Sequence, residues 1–268
     1  MLIPDNEEQI QLTINSVKGF LLSVKNLSVN INFSYDSNEI LDKIDFLKQE
    51  NKEVYINLNK NYTNDEVVVL EEFLVTLSKK DIDGIFFSDI SLLKLAKNYN
   101  LIWAAEHATT NYKTANTFSD YGAKGIFISP DIPLEEMKEI REKTKLKTYI
   151  QIFGYHSIFT SVRKHITSYM DVTENKNEKK LLKMKLKEEE YPILENSLGT
   201  VIFNSKIING FFINEQFDSF IVNGFNIEND KLKKVVEAQD SEVIKKLFEN
   251  IDENIFSKKT IYRVKGDK

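Results

Sequence analysis

The chain has 268 residues, 36 Lys and Arg against 41 Asp and Glu, a net charge of −5, 41% hydrophobic residues and no Cys. This length suits one large barrel-type domain or two ordinary ones and can bury a sizeable core. The missing Cys excludes a disulfide framework, a thiolate nucleophile, a Cys-type zinc site and an iron–sulfur cluster held by the chain's own thiolates.

Met1-Leu2-Ile3-Pro4-Asp5 lacks the basic start and the run of about 7–15 apolar residues that mark a signal peptide. The apolar stretches, such as Gly84-Ile85-Phe86-Phe87, fall far short of the roughly 18 residues that cross a bilayer. The expectation is a cytoplasmic protein with no membrane partner. Along the chain, short β-branched or aromatic runs predict strands at residues 2–4, 20–24, 54–59, 84–88, 101–105, 125–129, 148–153 and 220–223. Helical patterns fall between them. Ser37 and Asn38 precede the stripe Ile40, Leu41, Ile44, Phe46 and Leu47, and Asn64-Asp65-Glu66 opens a helix carrying Val67, Leu70, Phe73, Leu74 and Leu77. Pro133 suits a first helical turn before Leu134, Met137 and Ile140, and Gly122 suits a helix C-cap before the sixth strand. Residues 232–248 predict one helix broken around Gln239-Asp240-Ser241, or two short ones.

Strands such as Ile126-Phe127-Ile128 are apolar on consecutive positions, as a sheet covered on both faces requires. Eight alternating units predict an α/β fold, a (β/α)8 TIM-barrel-like single domain over residues 1–268. One stretch breaks the alternation: an insertion of roughly 65 residues, 154–219, lies between strands seven and eight. It is expected to hold a charged helix around residues 176–190 and a hairpin of residues 199–204 with 207–213. Residues 138–187 carry thirteen Lys and Arg against five Asp and Glu, a net +8.

Barrel active sites lie at the C-terminal ends of the strands. Those positions offer Asn57, Asn59, Asp89, Glu106, His107, Thr109, Thr110, Asn111, Ser129, Asp131, Tyr155, His156, Ser157 and Asn223. Glu106, His107, Asp131 and His156 are the candidate acid–base residues, although Thr and Asn after Glu106 equally suit a helix cap. Asn59, Asp89, Thr109, Asn111, Ser129 and Tyr155 are candidate substrate-binding residues. Ser157 could pair with a His, or His156 could be a loop residue beside a helix cap; no Gly-x-Ser-x-Gly elbow surrounds Ser157. Three scattered His without His-x-x-x-His spacing predict no metal site. Arg163-Lys164-His165, between Phe159 and Tyr169, suits a nucleic-acid backbone, and a solvated patch would have the same composition.

Asn111-Tyr112-x-x-x-Asn116, Tyr121-Gly122-Ala123-Lys124-Gly125-Ile126 and Leu134-Glu135-Glu136-Met137-x-Glu139-Ile140 resemble the core of the peptidase U32 family, the collagenase-like peptidases. Phe153-Gly154-Tyr155, Ser161-Val162-Arg163-Lys164, Ser168-Tyr169 and Glu190-Tyr191-Pro192-Ile193 through Gly199-Thr200 resemble its short, cysteine-free bacterial branch. The resemblance covers nearly the whole chain. It implies a barrel and two competing activities: peptidase action on unstructured protein, or oxygen-independent hydroxylation, including prephenate-dependent 5-hydroxylation of the tRNA wobble uridine. Hydroxylating members hold a four-iron cluster on four Cys, which this chain lacks. It also has Ser129-Pro130-Asp131 where relatives carry Ser-Arg-Glu, and Phe153 at the usual His. The resemblance therefore implies a tRNA-hydroxylation component acting in a hetero-oligomer with a cluster-bearing paralogue, with tRNA as partner and prephenate as a candidate ligand. A barrel that only stabilises its partner is the third reading.

Overall fold

The computed structural model describes residues 1–105, 108–173, 181–213 and 217–258. From the N-terminus, β1 (Leu2–Ile3), β2 (Gly19–Ser23), β3 (Glu53–Leu58), β4 (Gly84–Phe87), β5 (Leu101–Trp103), β6 (Gly125–Phe127) and β7 (Lys147–Gly154) pair in parallel with their sequence neighbours. The chain then leaves the barrel for β8 (Ser157–Ser161), β9 (Leu181–Leu186), β10 (Glu189–Asn196), β11 (Gly199–Phe203) and β12 (Ile207–Asn209). It returns as β13 (Ser219–Asn223), which is parallel to both β7 and β1 and so closes an eight-stranded barrel.

Alternation along each strand divides the apolar residues between two layers. Ile85, Phe87, Ile126, Ile128, Ile150 and Ile152 face outward into a core completed by the helices. The intervening helices include α1 (Glu7–Thr13), α2 (Glu39–Gln49), α3 (Asn64–Leu77), α4 (Leu92–Leu95), α5 (Tyr112–Asp120) and α6 (Leu134–Lys143). Ile40, Ile44 and Leu47 of α2, and Leu70, Phe73, Leu74 and Leu77 of α3, are buried against the sheet. Each such side chain contributes about 1.5–3 kcal/mol on burial. Thr63 and Glu66 form a capping box at the start of α3. Gly122 ends α5 at φ 102, its N–H donating to Ser119 and that of Ala123 to Phe118, a Schellman turn that only glycine adopts without strain.

The insertion departs from expectation. Residues 181–196 form a β-hairpin, β9 against β10, rather than a charged helix; residues 176–180 of that expectation lie outside the described residues. Lys183 and Lys185 alternate with Leu182, Met184 and Leu186, the period of a strand. The expected pairing of 199–204 with 207–213 is also absent. β11 pairs instead with β10 and β8, giving an antiparallel sheet in the order β8-β11-β10-β9, while β12 joins β7 antiparallel and β14 (Ile251–Asp252) in parallel. The reason lies at residue 156: the His156 backbone N–H donates to Asn204 Oδ1 and the Asn204 N–H to the His156 carbonyl, which seats β11 against β8 and sends the chain away before residue 207. α7 (His165–Thr173) follows β8 and buries no residue. It is held by Glu195, whose carboxylate accepts the backbone N–H groups of Ile166 and Thr167 at 2.7 and 3.0 Å. Beyond the barrel, α8 (Asn229–Ala238) and α9 (Ser241–Leu247) are separate helices, with Gln239 left-handed between them and Asp240 capping the second. No helix among the described residues is long and apolar enough to cross a membrane.

Candidate functional site at the barrel mouth

Leu21, Tyr55, Phe86, Ile102, Phe127, Tyr149 and Ile221 fill the barrel interior. Tyr55, Phe86 and Tyr149 meet edge to face with ring centroids 5.1–6.1 Å apart, so the barrel is plugged rather than open. Two residues further along their strands the same face turns polar: Leu21 is followed by Ser23, Tyr55 by Asn57, Tyr149 by Gln151 and Ile221 by Asn223. The step from Ile3 reaches Asp5. Above the aromatic plug, Asp5, Asn57, Gln151 and Asn223 form the floor of a cavity.

The cavity is open to solvent at its mouth and is lined by Asp5, Asn57, Asn59, Gln151, His156 and Asn223 together with Phe86, Phe127, Phe203 and Phe225. Residues 29–32 of the β2–α2 loop also line it. Asn59 secures that loop by accepting the Val29 N–H and donating to the Val29 carbonyl. The inserted sheet reaches the same loop, through Thr160 to Asn30 and Asn196 to the Ile31 carbonyl. Phe203 of β11 stacks on Phe225 with centroids 4.0 Å apart. The insertion thus supplies one wall of the cavity.

His156 is 6% exposed, and its Nε2 lies 3.4 Å from Asp131 Oδ1. Its buried Nδ1 has no hydrogen-bond partner among the described residues. Ser129 Oγ accepts the Asp131 N–H, a tight turn that holds the carboxylate beside the ring. Such a pair can orient an imidazole and exchange a proton with a bound ligand. Burial pushes the Asp5 carboxyl from 3.8 up to about 6, against the downward pull of the Asn226 N–H and the Asn32 amide.

The sequence candidates divide accordingly. Asn59 and His156 line the cavity and Asp131 contacts His156. Asp89, Thr109, Asn111, Ser129, Tyr155, Arg163 and Lys164 are not part of its lining. Asp89 accepts the N–H groups of Tyr62 and Ser91; although burial opposes it, these bonds hold its carboxyl below the usual range. Asn111 caps α5 by accepting the Thr114 N–H, and the carbonyl of buried Thr109 accepts the Ser129 N–H. Tyr155 packs edge-on against Phe225. Arg163 and Lys164 are exposed on the insertion. Ser157 opens β8 rather than capping a helix, and it is Ser161 whose Oγ meets His165, at 3.0 Å. Glu106 and His107 lie outside the described residues. Asp5 and Gln151 join the site without having been expected there; their signal in the sequence is the period-two step from Ile3 and Tyr149.

Parallel strands closed into a barrel, an apolar plug and a polar cavity at the C-terminal strand ends define a (β/α)8 barrel whose candidate site lies on the customary face. Residues 17–263 match the model of peptidase family U32, and the chain belongs to that family. It is 26% identical over 197 residues to "tRNA hydroxylation protein P2" of Bacillus subtilis (strain 168), covering 69% of this chain and 64% of that protein. It is 21% identical over 141 residues to "tRNA hydroxylation protein P1" of the same strain, covering 51% of this chain and 33% of that protein. The chain therefore spans about a third to just under two thirds of the length of these relatives. Among solved structures, "The Structure of the U32 Peptidase Mk0906" superposes with a TM-score of 0.54 at 14% identity, covering 83% of this chain and 90% of that one, a likeness of fold.

Proposed function

We propose that this chain is a component of oxygen-independent tRNA wobble-uridine hydroxylation, working beside a cysteine-containing paralogue that carries the iron–sulfur cluster. The observation that carries the reading is the similarity to tRNA hydroxylation protein P2, which extends over 69% of this chain. P1 and P2 of one strain both resemble it, which favours pairing between family members. With no Cys in its 268 residues, this chain has no thiolate to hold such a cluster. Its own contribution would be binding and orienting RNA, with His156 and Asp131 available to move a proton at the barrel mouth.

The exposed face of the insertion suits RNA. Arg163 and Lys164 stand between Phe159 and Tyr169, and the rings of Phe159 and His165 lie 6.0 Å apart. Cations with interleaved aromatic rings bind backbone phosphates and unstacked bases. The paired substitution Arg163→Ala with Lys164→Ala is expected to weaken tRNA binding and to reduce the slope of log affinity against log salt by about 2, one for each phosphate no longer neutralised. Filter binding across a salt series measures this; an unchanged slope would remove the insertion from the RNA interface. Turnover of gelatin by the purified chain would instead support the peptidase activity carried in the family name.

A further inference from the structure

α7 does not owe its order to packing alone. It has nine residues, none of them buried, and only Ile166 and Met170 are half-buried. Isolated helices shorter than about 12–15 residues are marginal in water, so the contacts that α7 makes with the inserted sheet decide whether it forms. Those contacts gather at its N-terminus, on Glu195 and Thr200, which face each other across β10 and β11. The Glu195 carboxylate accepts the N–H groups of Ile166 and Thr167 and also the Thr167 hydroxyl. The hydroxyl of buried Thr200 accepts the His165 N–H and lies 2.8 Å from the Arg163 carbonyl and 2.7 Å from Glu195 Oε2. The backbone of residues 163–167 is thereby clamped onto the sheet.

An acid at this place works against the charge around it. Arg163, Lys164 and His165 form the basic segment of the insertion, and a carboxylate beside them repels phosphate. Glu195, however, is spent on N–H groups and hydroxyls at the positive end of α7, where a carboxylate is favoured. Although burial opposes it, these bonds hold its carboxyl below the usual carboxylate range. We propose that Glu195 is a positioning residue of the RNA-binding face: it fixes the start of α7, and with it the directions in which Arg163 and Lys164 present their charge beside Phe159 and Tyr169. The proposal rests on the tRNA reading above and gives it a distinctive sign. Bare charge predicts that removing this acid tightens RNA binding, whereas positioning predicts that it weakens it.

Filter binding of tRNA to the full chain carrying Glu195→Ala or Glu195→Gln tests this. Glu195→Ala is expected to weaken binding as much as Arg163→Ala with Lys164→Ala does, to within about threefold, and to add nothing when combined with that pair. Glu195→Gln keeps one acceptor and the shape of the side chain, so it should weaken binding less, without tightening it. Amide hydrogen exchange at Ile166 and Thr167 should quicken about tenfold in Glu195→Ala while the amides of β3 stay protected, the mark of an intact barrel. Where Glu195→Ala disturbs the barrel, Glu195→Gln carries the test of sign. Unchanged or tighter tRNA binding in either variant, unchanged exchange at Ile166 and Thr167, or a full further loss when the substitutions are combined would each overturn the assignment. A parent chain that binds no tRNA overturns the tRNA reading and this role with it, whereas a parent whose tRNA binding survives Glu195→Ala overturns the role of Glu195 alone.

Discussion

Gly154→Ala is expected to destabilise the protein by about 3–5 kcal/mol, lowering Tm by roughly 10 °C. Gly154 ends β7 at φ 100, where an L side chain is strained, and a Cβ there would lie 2.2 Å from the Asn223 carbonyl oxygen and 2.9 Å from the Asn223 Cβ. The neighbour that must move is backbone of β13, the strand that closes the barrel, so relaxation is costly. The displacement would reach the cavity, because Asn223 donates to the Tyr155 carbonyl and accepts the Phe225 N–H. Differential scanning calorimetry of the variant measures the effect; a Tm within about 2 °C of the parent would show that β7 and β13 are not held this closely.

Asp5→Asn is expected to raise stability at pH 7 by about 1–2 kcal/mol. Burial moves the Asp5 carboxyl from 3.8 to about 6 in the folded chain, and the full shift corresponds to at most about 3 kcal/mol, reduced here because the side chain keeps some contact with solvent. The folded state holds its proton up to about pH 6, whereas the unfolded chain releases it near 3.8. Stability from this group is thus greatest below about pH 4, falls as pH rises to 6 and stays low above that. Asn can still accept the Asn226 N–H, which lies 3.0 Å from Asp5 Oδ2, and brings no charge. Urea unfolding at about pH 4 and about pH 7 should show the variant and parent alike at the lower pH and the variant more stable at the higher. An equal difference at both values would place Asp5 in water.

Much of the barrel was legible because its strands are buried on both faces and therefore read as apolar runs, as in Ile85-Phe86-Phe87. The insertion was harder. Its β9–β10 turn, Lys187-Glu188, contains neither Gly nor Asn although Lys187 takes φ 56, so the hairpin carries none of the usual turn residues. A run rich in Lys and Leu then imitates a helix, and only the alternation of Lys183 and Lys185 with Leu182, Met184 and Leu186 betrays a strand. The site was partly legible for a related reason. His156 and Asn59 follow strand ends directly, but Asp5 belongs to the site only because Ile3 pairs with Asn223, an adjacency made when the ends of the barrel meet. Polar residues after strands also serve the scaffold, as Asp89 and Asn111 do by binding backbone N–H groups. Position alone does not separate the two uses.

Participation of this chain in tRNA wobble-uridine hydroxylation can be read by mass spectrometry of tRNA nucleosides from strains with and without its gene. 5-Hydroxyuridine and its derivatives at the wobble position are expected to fall in the deletion strain and to return when the gene is restored. Unchanged levels, with any second cysteine-free family member also removed so that it cannot substitute, would contradict it.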